Sequence, residues 1–343
     1  MQREITKRGK LLNAKGELNE RGYSTSFLLD YNKDKIQSSK LRIKEWDYYL
    51  VTNKSYGVAL TVADNGYMGF ISISLLDFKK GWYKTQSHIL PFTLGKLNLP
   101  KTTHKGEVRY VDHKVEIYFV TYKGERRLRC YMKEFYEGKP FECEFVLGHM
   151  PEDSMVIATP FKGSSRQFYY NQKIIGMKAR GYIRTGRLFA TFRQEDAYGL
   201  LDWGRGVWPY KSTWYWGAAM GEVEGKSIGF NIGYGFGDTS GATENMIFYE
   251  GKANKLDQIT FKIPEKDGRE SYLAPWQFTS SDGRFEMEFI PILDRKDCKS
   301  IGIIKSNQHQ VFGRFSGRLI LDNKEVIEVK NLFGFAEKVH NKW

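Results

Sequence analysis

Apolar and polar residues alternate with a period of two through most of this chain, and no window sustains a 3.6-residue repeat. Val115, Ile117 and Phe119 interleave with Glu116, Tyr118 and Val120, while Phe285, Met287 and Phe289 interleave with Glu286 and Glu288, the signature of half-buried strands. Turn signals recur at Lys123-Gly124-Glu125, Glu224-Gly225-Lys226, Glu250-Gly251-Lys252 and Asp282-Gly283. Asp64-Asn65-Gly66 carries the strongest short hairpin signal, Asn-Gly. This spacing predicts about ten short strands in each half. So many antiparallel strands hide their edges by closing into barrels. The expected fold is all-β, two antiparallel barrels packed together with few short helices, divided into residues 1–190 and 191–343. Residues 1–20 read as polar, and one segment, Pro151-Glu152-Asp153-Ser154, suits a short helix with Asp or Ser as cap.

Composition sharpens this picture. Aromatics make up 15% of the 343 residues, and 34 Gly stand against 9 Pro, which favours bent, closing strands over flexible linkers. The net charge of +13 is dispersed. Arg127, Arg129 and Lys133 share one strand parity with Tyr131, so the densest basic cluster reads as a solvated outer face rather than a nucleic-acid groove. Cys130, Cys143 and Cys298 lack metal-ligand spacing, and Cys130 shares the apolar parity of Leu128 and Met132 as a buried thiol. The start lacks the apolar centre of a signal peptide, and no apolar run reaches membrane-spanning length. A reduced, cytoplasmic location is the expectation, with no transmembrane segment. HExxH, CxxC, GxSxG and Walker patterns are missing, so neither metal nor cofactor is expected.

Candidate chemistry concentrates between Leu201 and Asn245. Trp203, Trp208, Trp214 and Trp216 fall close together beside Asp202, Arg205 and several glycines. Indole rings supply large apolar area and one N–H each, so they wall a cavity or fill a core. Asp202 and Arg205 read as a proton-donor pair or ligand clamp, or as an ion pair locking a turn. Glu244 beside a Trp-lined cavity would be desolvated into a general acid, or with Asn245 it ties a loop by hydrogen bonds. Asn231 is a polar orienting group, Trp276 a further wall, and His309 an acid/base candidate or a structural imidazole. Glu337 carries the same two readings.

Several stretches together resemble the family of domain of unknown function 2804. They are Arg42 to Tyr49, Asp202-Trp203-Gly204-Arg205-Gly206-Val207-Trp208-Pro209, Thr243-Glu244-Asn245, Pro275-Trp276, His309 to Gly313, and Gly334-Phe335-Ala336-Glu337. A wider similarity is to the carotenoid hydratase-like group, which implies two lipocalin-like, calycin-type barrels and apolar polyene or polyketide-like substrates for some members. That group's Asp-His-x-Trp-Gly motif corresponds here to Asp202-Trp203-Gly204, with no histidine beside it.

The expected function is binding of a hydrophobic or amphipathic small molecule in an aromatic cavity in or beside the second barrel. Trp203, Trp208, Trp214, Trp216 and Trp276 would line it, and Asp202, Arg205, Asn231, Glu244, Asn245 and His309 would contact or orient the ligand. Three alternatives stand beside it. One is a lyase, hydratase or cyclase using a cavity carboxyl, with Asp202, Glu244 and His309 as catalytic candidates. Another is a carbohydrate groove of exposed, coplanar tryptophans. The last is a surface aromatic patch for protein association.

Overall fold

The computed structural model describes residues 2–301 and 304–342, without the side chains of 299–301 and 304. It is all-β, with two large antiparallel sheets of thirteen and nine strands. The first runs from the edge strand Trp82–Pro91 through Met68–Asp77, Tyr56–Asp64, Ile43–Thr52, Tyr198–Val207, Phe168–Thr185, Lys139–Gly148, Glu125–Tyr136 and Val115–Tyr122 to Gly106–Val111. It curls until its two edges meet through side chains: His88 Nε2 lies 2.7 Å from Asp112 Oδ2, and Trp82 packs edge-on against Tyr136. The second runs from Lys252–Lys255 through Met246–Tyr249, Lys226–Tyr234, Lys211–Val223, Val326–Lys342, Ile304–Ile320, Phe285–Ile301 and Trp276–Ser280 to Ile259–Lys262. Its two edge strands are consecutive in the chain, so residues 256–258 bring the ends of the sheet together.

The change of sheet falls between Val207 and Lys211, so the Tyr198–Val207 strand lies in the first sheet although it follows residue 190. The Trp-rich stretch is thereby split between the sheets. The expected hairpin at Asn65-Gly66 is present, with Gly66 at φ +80° and its N–H on the Asp64 carboxylate. Arg127, Arg129, Tyr131 and Lys133 point outward, while Arg126, Leu128, Cys130 and Met132 point inward. Cys130 and Cys143 are buried cross-strand neighbours and free thiols.

Two expectations need correction. Pro151 to Ser154 is irregular, with a bend at Glu152, because Asp153 and Ser154 take partners a helix would remove: Asp153 N–H bonds to Gly251, Ala253 N–H to the Asp153 carboxylate, and Ser154 N–H to Thr25. The short 3₁₀ turns lie instead at Lys33–Lys35 and Lys40–Arg42, capped by Asn32 and Ser39. The polar-looking start also buries Ile5, Leu11 and Leu12, and it reaches the second half through Arg3 N–H to Gly241 and the Gln2 amide to Leu256.

Three apolar clusters follow from strand parity. One fills the first barrel and includes Leu128, Phe145, Tyr170 and Trp203. Another fills the second and includes Phe230, Trp276, Phe289 and Phe315. Between them, the outer faces of both sheets pack together around Tyr169, Trp208, Trp216, Phe312 and Phe335.

Candidate functional site

The central strands of the first sheet are buried on both faces, so their residues do not alternate apolar and polar. Tyr48, Asp202 and Lys173 are cross-strand partners and form one row on the face turned toward the second sheet. The facing row on the second sheet is Arg295, Gln310, Glu337 and Trp216, again in cross-strand register. The two rows meet. Tyr48 Oη–H donates to Gln310 Oε1 at 3.3 Å, and Gln310 Nε2 donates to Glu337 Oε2 at 2.9 Å. Arg295 reaches across to Ser74 Oγ at 2.8 Å.

Lys173 sits at the centre, 1% exposed. Its ammonium donates to Glu244 Oε2 at 3.0 Å, Asn171 Oδ1 at 3.1 Å and Tyr169 Oη at 3.3 Å, and lies 3.9 Å from Asp202 Oδ1. It also hovers over the rings of Trp216 and Phe236, at 4.9 and 5.0 Å. Asp202 accepts from Trp46 Nε1 at 2.9 Å and from Asn171 Nδ2 at 2.6 Å. Trp46 can lie flat there because its cross-strand partner is Gly204; a methyl group at that position would overlap the ring. Asn231 accepts from Trp216 Nε1 at 2.7 Å and donates to the Glu244 carbonyl at 2.9 Å. Asn245 supports the loop, accepting from Gly233 N–H and donating to Asp257.

Three carboxylates, Asp202, Glu244 and Glu337, thus share a water-poor space with the cations Lys173 and Arg295. Charging all five would leave an excess negative charge where solvation is weak. Burial raises Glu244, against the pull of Lys173. Burial also raises Glu337 to about 7, opposed by the Trp214 N–H, Arg295 and Gln310 and reinforced by Asp202. Tyr48 is pushed up to about 12 by burial. Glu337 Oε1 accepts from Trp214 Nε1 at 3.0 Å. The half-buried rings of Trp46 and Trp214 and the Asp202 side chain, 11% exposed, lead outward from the cluster.

Asp202, Trp208, Trp214, Trp216, Asn231 and Glu244 come together between the sheets; other expected members do not. Arg205 is three residues from Asp202 on a strand and so points the opposite way, into the first barrel. There its guanidinium meets Asp47 at 2.8 Å, Glu45 at 3.6 Å and the Trp203 ring at 4.1 Å. Asp202 and Arg205 therefore form neither a clamp nor a turn-locking pair. Trp276 is in the interior of the second barrel, its N–H on the Tyr272 carbonyl. His309 faces away from Gln310, pairing with Asp294 at 2.9 Å and stacking on Tyr272 at 3.8 Å. The five tryptophans do not line one hole in the second barrel. Trp203, Trp208, Trp216 and Trp276 are at most 4% exposed and Trp214 is half-buried, which leaves no coplanar platform of exposed indoles among them.

Lys173 escaped the sequence reading. Its signal was the run Tyr169-Tyr170-Asn171-Gln172-Lys173-Ile174-Ile175, whose polar residues fall on both parities of an otherwise apolar strand. Among the described residues, no three His, Cys, Asp or Glu side chains group to hold a metal ion, and no helix is long and apolar enough to cross a membrane.

Among solved structures, one aligns closely enough to share the fold, and two more align over most of the chain with lower scores. A candidate AttH from Nitrosomonas europaea aligns with TM-score 0.52 and 12% identity, covering 90% of this chain and 96% of its own. Kievitone hydratase from Nectria haematococca aligns with TM-score 0.49 and 11% identity over 97% of this chain and 98% of its own. CghA, solved with Sch210972, gives TM-score 0.46 and 9% identity over 97% of each chain. No curated protein matches the chain in sequence. Residues 2–343 match one family throughout, and the chain belongs to it: the domain of unknown function family DUF2804.

Proposed function

We propose that the cluster between the sheets takes an apolar or amphipathic small molecule and moves a proton to or from it, in the manner of a hydratase, lyase or cyclase. The observation that carries this reading is Glu337. It is a carboxyl enclosed by Trp214, Trp216 and Phe335, with an ionisation near 7, where a general acid has both a proton to give and a driving force to give it. Glu337 donates the proton; Gln310 and the Trp214 N–H hold its carboxyl in place. Lys173, hydrogen-bonded to Glu244 and 3.9 Å from Asp202, stabilises negative charge that develops on a substrate oxygen. Tyr48 donates to the Gln310 amide oxygen and so fixes the amide that holds Glu337. The aromatic rings of Trp46, Tyr169, Trp208 and Trp216 exclude water and select an apolar partner. No metal or cofactor is needed for proton transfer of this kind. Free, buried Cys130 and Cys143 suit a reducing compartment, in agreement with a cytoplasmic location.

The test uses a metabolite extract incubated with the protein in deuterated water. Protonation of a substrate carbon leaves a non-exchanging deuterium in the product, seen as a mass increment by mass spectrometry. The expected result is at least one such product with the native protein and none with Glu337→Gln, with the far-UV circular dichroism unchanged. No labelled product with either protein, or equal labelling with both, contradicts the assignment.

A further inference from the structure

A second unusual arrangement lies inside the mouth of the first barrel, on the side of the sheet turned away from the second sheet. Arg126 lies in the Glu125–Tyr136 strand on the inward parity and is 3% exposed. Its Nη1 donates to Thr121 Oγ1 at 2.9 Å and to Tyr49 Oη at 3.3 Å, and its Nη2 to the Thr103 carbonyl at 2.7 Å. The Nε–H is buried and has no hydrogen-bond partner. Among the described residues, no carboxylate lies within ion-pairing distance of this guanidinium. The acid whose charge it feels is Asp47, and that carboxylate is already held by Arg205. Glu45 is likewise shared between Arg205 and Lys33. The nearby acids Glu45 and Asp47 are thus engaged by Lys33 and Arg205, and Asp64 lies beyond Glu45 on the neighbouring strand, which leaves Arg126 as the cation here without a carboxylate of its own. A buried guanidinium left with neutral partners is expensive unless an anion completes it.

Arg126 also borders a cavity of about 280 Å³. That volume equals roughly nine water molecules at about 30 Å³ each, space for a ligand of about ten non-hydrogen atoms. Phe27, Met150 and Ile174 give it apolar walls, and Thr103, Ser154 and Gln172 give it hydroxyl and amide groups. His104 lines it as well, and burial together with Arg126 and Arg8 lowers its affinity for a proton. Those two arginines are the cations His104 feels, so the local field is positive. The acid on the rim, Glu152, is already paired with Lys252.

We infer that this cavity is a binding site for a small organic monocarboxylate with an apolar body, its carboxylate on Arg126 and its body against Phe27, Met150 and Ile174. It is separate from the carboxylate-rich cluster between the sheets: Gln172 faces the cavity, while its neighbours Asn171 and Lys173 face the other site. Carboxylate geometry suits a guanidinium fork, and the apolar walls disfavour a fully hydrated inorganic anion.

Isothermal titration calorimetry of the full chain with phenylacetate, phenylacetamide and inorganic phosphate tests the inference. Saturable one-to-one binding of phenylacetate is expected, at least about tenfold tighter than the neutral amide, as befits a hydrogen-bonded charge in a buried site. Arg126→Gln should weaken phenylacetate by about tenfold or more. Ser26→Trp, which changes only an exposed residue at the lip, should block it equally while leaving the melting temperature in place, and so covers the case where the Arg126 variant fails to fold. Absence of phenylacetate binding, equal affinity for the amide, tighter binding of phosphate, or full affinity in Ser26→Trp would each overturn the assignment.

Discussion

The two faces of the Tyr198–Val207 strand and its neighbours carry opposite electrostatic designs. Inward, Arg205 and Lys33 hold Glu45 and Asp47 while Arg126 has only hydroxyl and carbonyl partners; outward, Asp202, Glu244 and Glu337 outnumber Lys173 and Arg295. Both regions are dry, yet their remedies differ. Excess acid can be relieved by keeping a proton, so the outward face gains a titratable carboxyl near neutrality. A guanidinium cannot release its proton, so excess cation must find carbonyls, hydroxyls or a bound anion. Titration is thus the property of one face and anion recognition the property of the other.

Removing the central cation from each face gives the sharpest contrast. Arg205→Met should cost about 3–5 kcal/mol in urea unfolding, because Asp47 loses its cation and Glu45 keeps only Lys33 and Tyr31. The Trp46, Gly204 and Pro100 carbonyls lose donors as well. Acidification can neutralise the carboxylates but not restore those donors, so much of the loss should persist at low pH. Lys173→Met should cost about 2–4 kcal/mol at neutral pH and less in acid, because Glu244, already raised by burial, can take up a proton. Equal pH dependence in the two variants would remove the distinction.

The next effect concerns Glu337. Its ionisation is raised in the folded state from the ordinary 4.5 to about 7, so the folded chain binds more protons than the unfolded chain across that interval. Its contribution to stability is therefore fully present below about 4.5 and is lost as pH rises through about 7, a change of about 3 kcal/mol for a wholly buried group. Glu337→Gln should flatten this part of the stability–pH curve, measured by denaturant midpoints. Asp202→Asn is a smaller perturbation: an amide oxygen replaces two acceptors that now serve Trp46 and Asn171, at a cost of about 1–2 kcal/mol. At the bottom of the scale, Arg127→Ser on the solvated outer face removes an exposed pair with Glu125 and should change stability by less than about 0.5 kcal/mol.

Local rules made the all-β class, the Asn65-Gly66 hairpin and the outer face of Arg127, Arg129 and Lys133 legible, because each depends on neighbours in the chain. Parity could also have separated Asp202 from Arg205, whose odd spacing puts them on opposite faces of any regular strand. What the chain conceals is pairing. Tyr48 meets Gln310, Lys173 meets Glu244, and Gln310 meets Glu337 across separations that no periodicity reports. Of the tryptophans clustered in sequence, Trp208, Trp214 and Trp216 stay together between the sheets, while Trp203, on the opposite strand parity from Asp202, turns into the first barrel. The short helix expected at Pro151 to Ser154 failed because distant Thr25 and Gly251 compete for the same backbone groups.

The central claim is that the acid-rich space between the sheets keeps a proton on Glu337, independently of the Arg126 guanidinium inside the first barrel. Infrared difference spectroscopy of protein with isotope-labelled glutamate, titrated from about pH 5 to about pH 9, reads it directly. A neutral glutamic-acid carbonyl band disappearing around pH 7, present in Arg126→Gln and missing from Glu337→Gln, is the predicted result. A Glu337 carboxyl already ionised throughout that range would contradict the account.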